Sequence, residues 1–143
     1  MTLVELIVVL AVLSVVGAMT LPLVSGGQQR VSALRAAQRF ATAVRMAQAV
    51  AQDMDCRTRV VLVDDDSFVV ERSAPGGWRC EVRGSLRPVS GRTSYPQDRV
   101  EFTQSGLPLV AETDRPRAGT FRFSCGGQER SVVLQLTGRV RVR

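Results

Sequence analysis

Met1-Thr2-Leu3-Val4-Glu5-Leu6-Ile7-Val8-Val9-Leu10 opens the chain, and the apolar run that starts there continues from Leu6 to Val24, interrupted only by Ser14, Gly17, Ala18, Thr20 and Pro22. As a helix rising ~1.5 Å per residue, that run is about 28 Å long, close to the ~30 Å hydrocarbon core of a bilayer. Residues 6 to 29 carry no charged side chain, whereas all 19 basic residues, every one an Arg, lie from Arg30 onward. A secretory signal opens with positive charge; here the first charged side chain is the acidic Glu5. A carboxylate at the lip of an apolar helix costs at least a few kcal/mol, roughly, unless it is neutralised or paired, so Glu5 is a functional candidate. The amino group at Met1 could pair with it, within one helix or between staggered neighbouring helices, where the pair would set axial register. The plainer alternative is a carboxylate resting in the headgroup layer.

The whole chain has 143 residues, 13 acidic side chains, no His and three Cys, for a net charge of +6. The absence of His excludes metal centres built on His clusters and every His-dependent catalytic triad. The chain reads as a non-enzyme with no cofactor and no metal site. It divides into residues 1 to 27, apolar, and residues 28 to 143, one basic domain.

Gly26-Gly27 follows Pro22 closely, and each glycine costs ~1 kcal/mol in a helix interior relative to alanine. Pro22, Gly26 and Gly27 therefore predict a kink or a locally melted turn. From Gln28 to about Met54 the residues Val31, Leu34, Ala37, Ala41, Val44, Ala47 and Ala51 recur at spacings of three and four, with Arg30, Arg35, Arg39 and Arg45 between them. This is an amphipathic helix with one Ala-rich face to bury. After Cys56 the pattern changes to short β-type runs: 58 to 63, 67 to 72, 78 to 83, 99 to 103, 120 to 125, 130 to 136 and 139 to 143. Ala74-Pro75-Gly76-Gly77, Ser105-Gly106 and Gly126-Gly127 punctuate them, and the stretches 83 to 97 and 107 to 118 read as irregular loops. One long helix followed by short strands predicts an α+β domain in which an antiparallel sheet packs on the second half of the helix.

Asp64-Asp65-Asp66 could chelate a cation, but three adjacent carboxylates without further ligand spacing read as a hairpin tip. Cys56, Cys80 and Cys125 allow three single pairings with one thiol left over, or no bridge at all. Trp78, the only tryptophan, reads as core or sheet packing.

The first ten residues look like the mature N-terminus of a type IV pilin or type II secretion pseudopilin. In that family a prepilin peptidase removes a short basic leader and methylates the new N-terminus. The Glu at the fifth position, Glu5 here, serves assembly. Pro22 falls where many members have a helix-bending proline, while Met1 replaces the usual Phe. Phe121 to Arg143 is similar to the closing hairpin of the GspH/FimT family of minor pseudopilins and minor pilins, and Val100-Glu101-Phe102-Thr103-Gln104-Ser105-Gly106 to its inner strand and Gly turn. Arg45-Met46-Ala47-Gln48-Ala49 departs from it, because many members have Glu at the position of Gln48. The resemblance implies a type IV pilin-like fold and a bacterial inner-membrane helix with a periplasmic domain. It also implies incorporation at or near the tip of a filament, either a type IV pilus or a type II secretion pseudopilus. The implied partners are other pilins or pseudopilins, the inner membrane before assembly, and the prepilin peptidase.

Some members bind DNA in natural transformation through a C-terminal Gly-Arg-x-Arg motif, which Gly138-Arg139-Val140-Arg141 matches. In a strand Arg139, Arg141 and Arg143 would share one face while Val140 and Val142 face the core, and guanidinium groups about 7 Å apart can follow a phosphate backbone. Residues 115 to 143 hold seven Arg against Glu129 alone. Double-stranded DNA is thus the alternative partner. Against it, alternating Arg also keeps an edge strand from pairing with other sheets.

Overall fold

The structure, a computed structural model, describes residues 3–111 and 113–143, and their side chains except those of residues 16–25. Met1 lies outside the described residues, as does the side chain of Pro22. Helix α1 runs from Leu3 to Asp53, 51 residues in one piece. It continues as α-helix through Gly26 and Gly27, where a kink or a locally melted turn is expected from the sequence. Neither glycine has a neighbour within 4 Å of where a Cβ would stand, so each lowers helix stability locally without obstructing or ending it. Among the described residues no helix is long and apolar enough to cross a membrane.

Among the described residues ten strands follow: β1 Thr58–Val63, β2 Ser67–Ala74, β3 Gly77–Ser85, β4 Ser90–Thr93, β5 Arg99–Phe102, β6 Pro108–Val110, β7 Arg115–Pro116, β8 Gly119–Cys125, β9 Gln128–Leu134 and β10 Val140–Val142. They form two antiparallel sheets rather than one. The first has the order β3-β2-β1-β5-β6-β7 and the second β10-β9-β8-β4. The α+β class stands, but three short strands lie in stretches that read as loops. β4 contains Gly91, β6 opens on Pro108 and β7 is the dipeptide Arg115-Pro116. None is long enough to display an alternation, and a proline is tolerated at a strand's first residue or on an edge.

Both sheets close on α1, which widens the buried stripe beyond the one the spacing suggested. Ala33, Ala36, Phe40 and Ala43 join Ala37, Ala41, Val44, Ala47 and Ala51 in the interior, whereas Val31 is 44% exposed. Small side chains let the sheets approach the helix, and Phe40 is the one large group on that face. Its ring lies edge-on to Phe68 of β2 at 5.5 Å and tilted against Phe121 and Phe123 of β8 at 4.5 and 5.1 Å. Phe40 therefore joins the helix to both sheets.

Tyr95, the only tyrosine, packs on Phe121 at 5.5 Å, and its hydroxyl donates to the Arg117 carbonyl at 2.8 Å. Burial raises the phenol above its ordinary value. The neutral form is the one the folded state holds, so this contribution is complete below the unfolded pKa of about 10 and is lost as the pH rises beyond it. Thermal unfolding followed from pH 8 to 11.5 should show a melting temperature falling above pH ~10, accompanied by the phenolate absorbance of this single side chain. Tyr95→Phe should flatten that fall while costing about 1 kcal/mol at neutral pH for the lost hydrogen bond.

Candidate functional site

The first turns of α1 are apolar all round. Every Leu, Val and Ile from Leu3 to Val15 is exposed, between 49% and 77%, while among the described side chains the first buried one is that of Ala33. Glu5 lies in the first turn of this helix. A helix hydrophobic on every side is stable in water only when something covers it, so this segment is an interaction surface by construction.

At the other end of the chain the expected alternation is present. Arg139, Arg141 and Arg143 are exposed, and Val140 and Val142 pack against the core. β10 is an edge strand paired only with β9, Arg141 standing opposite Val133. Main-chain bonds extend the pairing to both sides: Arg143 and Ser131 exchange N–H···O bonds at 2.8 and 2.9 Å, and the Gln135 N–H donates to the Arg139 carbonyl at 3.0 Å.

The helix anchors the turn that leads into this strand. The Gln48 Nε2 group donates to the Gly138 carbonyl at 2.7 Å and to the Gly106 carbonyl at 3.1 Å, and Gln52 Nε2 donates to the Ser105 carbonyl at 3.1 Å. Gly138 has φ +80°, and a Cβ there would stand 2.8 Å from the Gly106 carbonyl oxygen. Both the left-handed backbone and the close approach require glycine. An amide at Gln48 suits two carbonyl acceptors because its NH2 has two hydrogens to donate, whereas an ionised carboxylate has none. A depression of about 350 Å³ opens beside this junction, with Arg45 and Arg139 among its lining residues.

The register places further arginines on the solvent face that β10 shares. Arg92 of β4 stands opposite Arg122 of β8, Arg122 opposite Ser131 of β9, and Ser131 opposite Arg143. Ser90 and Ser124 pair alongside, with Glu129 opposite Ser124. Arg92 and Arg122 belong to this surface although sequence reasoning singled out neither. The available signal for Arg122 was its alternation with the buried Phe121 and Phe123; nothing local marked Arg92.

The remaining candidates take other places. Asp64-Asp65-Asp66 form the turn between β1 and β2, with Asp64 and Asp65 at positive φ. Asp66 pairs with Arg87 at 2.5 Å, which ties the turn to the segment before β4. Among the described residues no group of three or more His, Cys, Asp or Glu side chains could hold a metal ion. Cys56, Cys80 and Cys125 are free thiols. Cys56 lies just beyond the C-terminal end of α1, while Gly126, next to Cys125, adjoins Gln29. At ~1.5 Å per residue these places are about 36 Å apart along the helix, far beyond the ~7 Å limit between bridged Cα atoms. Trp78 is not in the core. It is 36% exposed on the outer face of the first sheet, with the Arg59 guanidinium 4.2 Å above its ring. Arg59 also binds Glu71 at 2.5 Å and stands opposite the buried Glu101, so the tryptophan serves an ionic cluster there. Near it, the Arg57 hydrogen bond at 2.9 Å holds the Asp114 carboxyl below its ordinary value.

No family model matches this sequence, and no curated protein matches it. Solved structures do. The type IV minor pilin FimU of Pseudomonas aeruginosa superposes with a TM-score of 0.65 at 16% identity, over 80% of this chain and 90% of that one. The minor pseudopilin EpsH of the Vibrio cholerae type II secretion system does so with a TM-score of 0.62 at 17% identity, over 78% and 96%. A second EpsH structure gives 0.63 at 14% identity, over 80% and 97%. A long helix whose second half is wrapped by antiparallel sheets is common ground, and the chain has the type IV pilin-like fold of minor pilins and minor pseudopilins.

Proposed function

We infer that this protein is a minor pilin or pseudopilin, a structural subunit anchored in the bacterial inner membrane by the first half of α1 and assembled at or near the tip of a type IV pilus or type II secretion pseudopilus. The observation that carries this reading is the all-round apolar helix from Leu3 to Val15, exposed along its length and bearing Glu5 in its first turn. Lipid covers such a helix before assembly and neighbouring helices cover it afterwards. Transfer of Glu5 from the headgroup layer into a bundle of helices would be opposed by desolvation unless a cation meets it, and the amino terminus of the adjacent subunit supplies one. Its role is mechanical and organisational, without chemistry.

Glu5→Ala is expected to leave the melting temperature of the domain within about 1 °C, since no part of the core contains it, and to reduce recovery of the protein in sheared filaments at least tenfold. Incorporation at the normal level would overturn this role for Glu5.

A second reading, DNA capture during uptake, is favoured by one specific feature: Arg139, Arg141 and Arg143 all project from the solvent side of an exposed edge strand. Contacts of that kind reach phosphate and carry no base information, so binding would be tolerant of sequence and weakened by salt.

A further inference from the structure

Arg92 and Arg122 stand directly opposite one another on neighbouring antiparallel strands, both exposed on the outer side of the sheet. Like charges in that relation repel. Arg122 pairs only loosely with Glu129, at 4.0 Å with both side chains more than half exposed, and Arg92 has no ion pair among the described residues. Nothing in the folding of the domain calls for this pair, since the residues that build the core from β8 are Phe121 and Phe123, on the opposite face.

Protection of sheet edges does not account for it either. β4 and β10 are the two edges of this sheet, so arginines on them can be read as guards against strand addition. β8 is an interior strand, paired on both sides, and Arg122 guards nothing. Both arginines line a depression of about 290 Å³, together with Thr93, Ser94 and Thr120. It combines forked cationic donors with hydroxyl groups, a set that suits the non-bridging oxygens of a phosphodiester.

The same face continues to β10. With strands ~4.8 Å apart, the row Arg92, Arg122, Ser131, Arg143 spans about 14 Å across the sheet; Arg141 and Arg139 follow in the next two rows. Five arginines and one carboxylate share a surface that is otherwise neutral.

We propose that the outer face of the β4-β8-β9-β10 sheet is a binding surface for the backbone of double-stranded DNA, which crosses the strands from β10 to β4 with the Arg92–Arg122 pair as a phosphate contact independent of the C-terminal motif. This extends the second reading above and rests on it. A phosphate seated between the two guanidinium groups removes their mutual repulsion, so the pair is a cost to the free protein that binding relieves.

The experiment is duplex binding by the full chain in non-ionic detergent, measured by fluorescence anisotropy at four salt concentrations. Two duplexes of unrelated sequence are used, with polyglutamate as competitor. The proteins are the wild type, Arg92→Gln/Arg122→Gln, Arg139→Gln/Arg141→Gln, and Arg92→Lys/Arg122→Lys. Removal of two phosphate contacts is expected to lower the slope of log K against log salt by about 1.8. Each Gln pair should do so equally on both duplexes, and the Lys pair should retain most of the slope. Melting of the Arg92→Gln/Arg122→Gln protein at low salt should be unchanged or higher than wild type. Wild-type binding with an unchanged slope in Arg92→Gln/Arg122→Gln would overturn the sheet-wide surface and leave the C-terminal reading standing. Absence of binding by the wild type at low salt would overturn both. Competition by polyglutamate as effective as by DNA at equal charge would assign the face to an acidic protein and overturn the proposal.

Discussion

Phe40→Ala should destabilise the domain by about 3–5 kcal/mol, the range for truncating a buried phenylalanine. The ring is fully buried and touches Phe68 on one sheet and Phe121 and Phe123 on the other. The neighbouring interior positions of α1 are Ala36, Ala37, Ala41, Ala43 and Val44, all too short to move in and fill the space. The loss therefore combines the transfer term with a cavity that stays open, and the three aromatic contacts go with it. Against a whole stability of about 5–15 kcal/mol for a domain, that is a third or more. Urea denaturation should show the midpoint displaced with the slope unchanged. Phe40→Leu, which keeps most of the volume, should cost less than half as much. An alanine variant within about 1 kcal/mol of wild type would mean that the sheets hold together without the helix ring.

The second large effect is expected at Gly138. Gly138→Ala forces a side chain into a left-handed backbone, at roughly 1–2 kcal/mol. It also places the new Cβ 2.8 Å from the Gly106 carbonyl and 3.0 Å from the Gln48 amide nitrogen. Neither is the free end of a long exposed chain, so the turn before β10 has to move away from α1. Displacement breaks the 2.7 Å bond from Gln48 and leaves a partly buried amide short of an acceptor, a further ~1 kcal/mol. The total is about 3 kcal/mol. Because Arg139 and Arg141 follow directly, the same substitution should disturb the position of β10. Amide exchange should show loss of protection at Val140 and Val142 ahead of the remainder of the second sheet. Gln48→Ala, which removes the donor and leaves the backbone unstrained, should reproduce that local exchange at a cost of about 1–2 kcal/mol. If Gly138→Ala left exchange at β10 unchanged, the anchored turn would not be what steadies the strand.

These two sites differ in how far they could be read in advance. A phenylalanine among alanines belongs to the helix pattern, yet the three-and-four spacing of Val31, Leu34, Ala37, Ala41 and Val44 leaves Phe40 outside it, because that spacing marks a stripe only wide enough for one sheet. Two sheets bury a wider arc, and that geometry sets Phe40 at the centre. Gln48 was noticeable as a departure from a family pattern, but its purpose, one amide serving two carbonyls that come from residues 58 and 90 positions away, exists only in the folded chain. For Trp78, size and hydrophobicity left core and sheet packing both open; it lies on the sheet, where its partner is the guanidinium of Arg59, a choice made by the register of the first sheet.

The sequence by itself determined the division of labour in this protein: an apolar, uncharged first helical segment with Glu5 near its start, an amphipathic continuation, a basic β domain, and a terminal strand with arginines on one side and valines on the other. Those features follow from periodicities of 3.6 and 2 and from the cost of burying charge, which are local or compositional and need no knowledge of what lies opposite. Only the tertiary structure decided that there are two sheets, that β4, β6 and β7 exist at all, and that Arg92 faces Arg122. Each of those depends on which strand pairs with which and in what register, and pairing joins residues some thirty positions apart through main-chain bonds that are indifferent to side-chain identity. A strand of two to four residues has too little alternation to declare itself; its neighbours declare it.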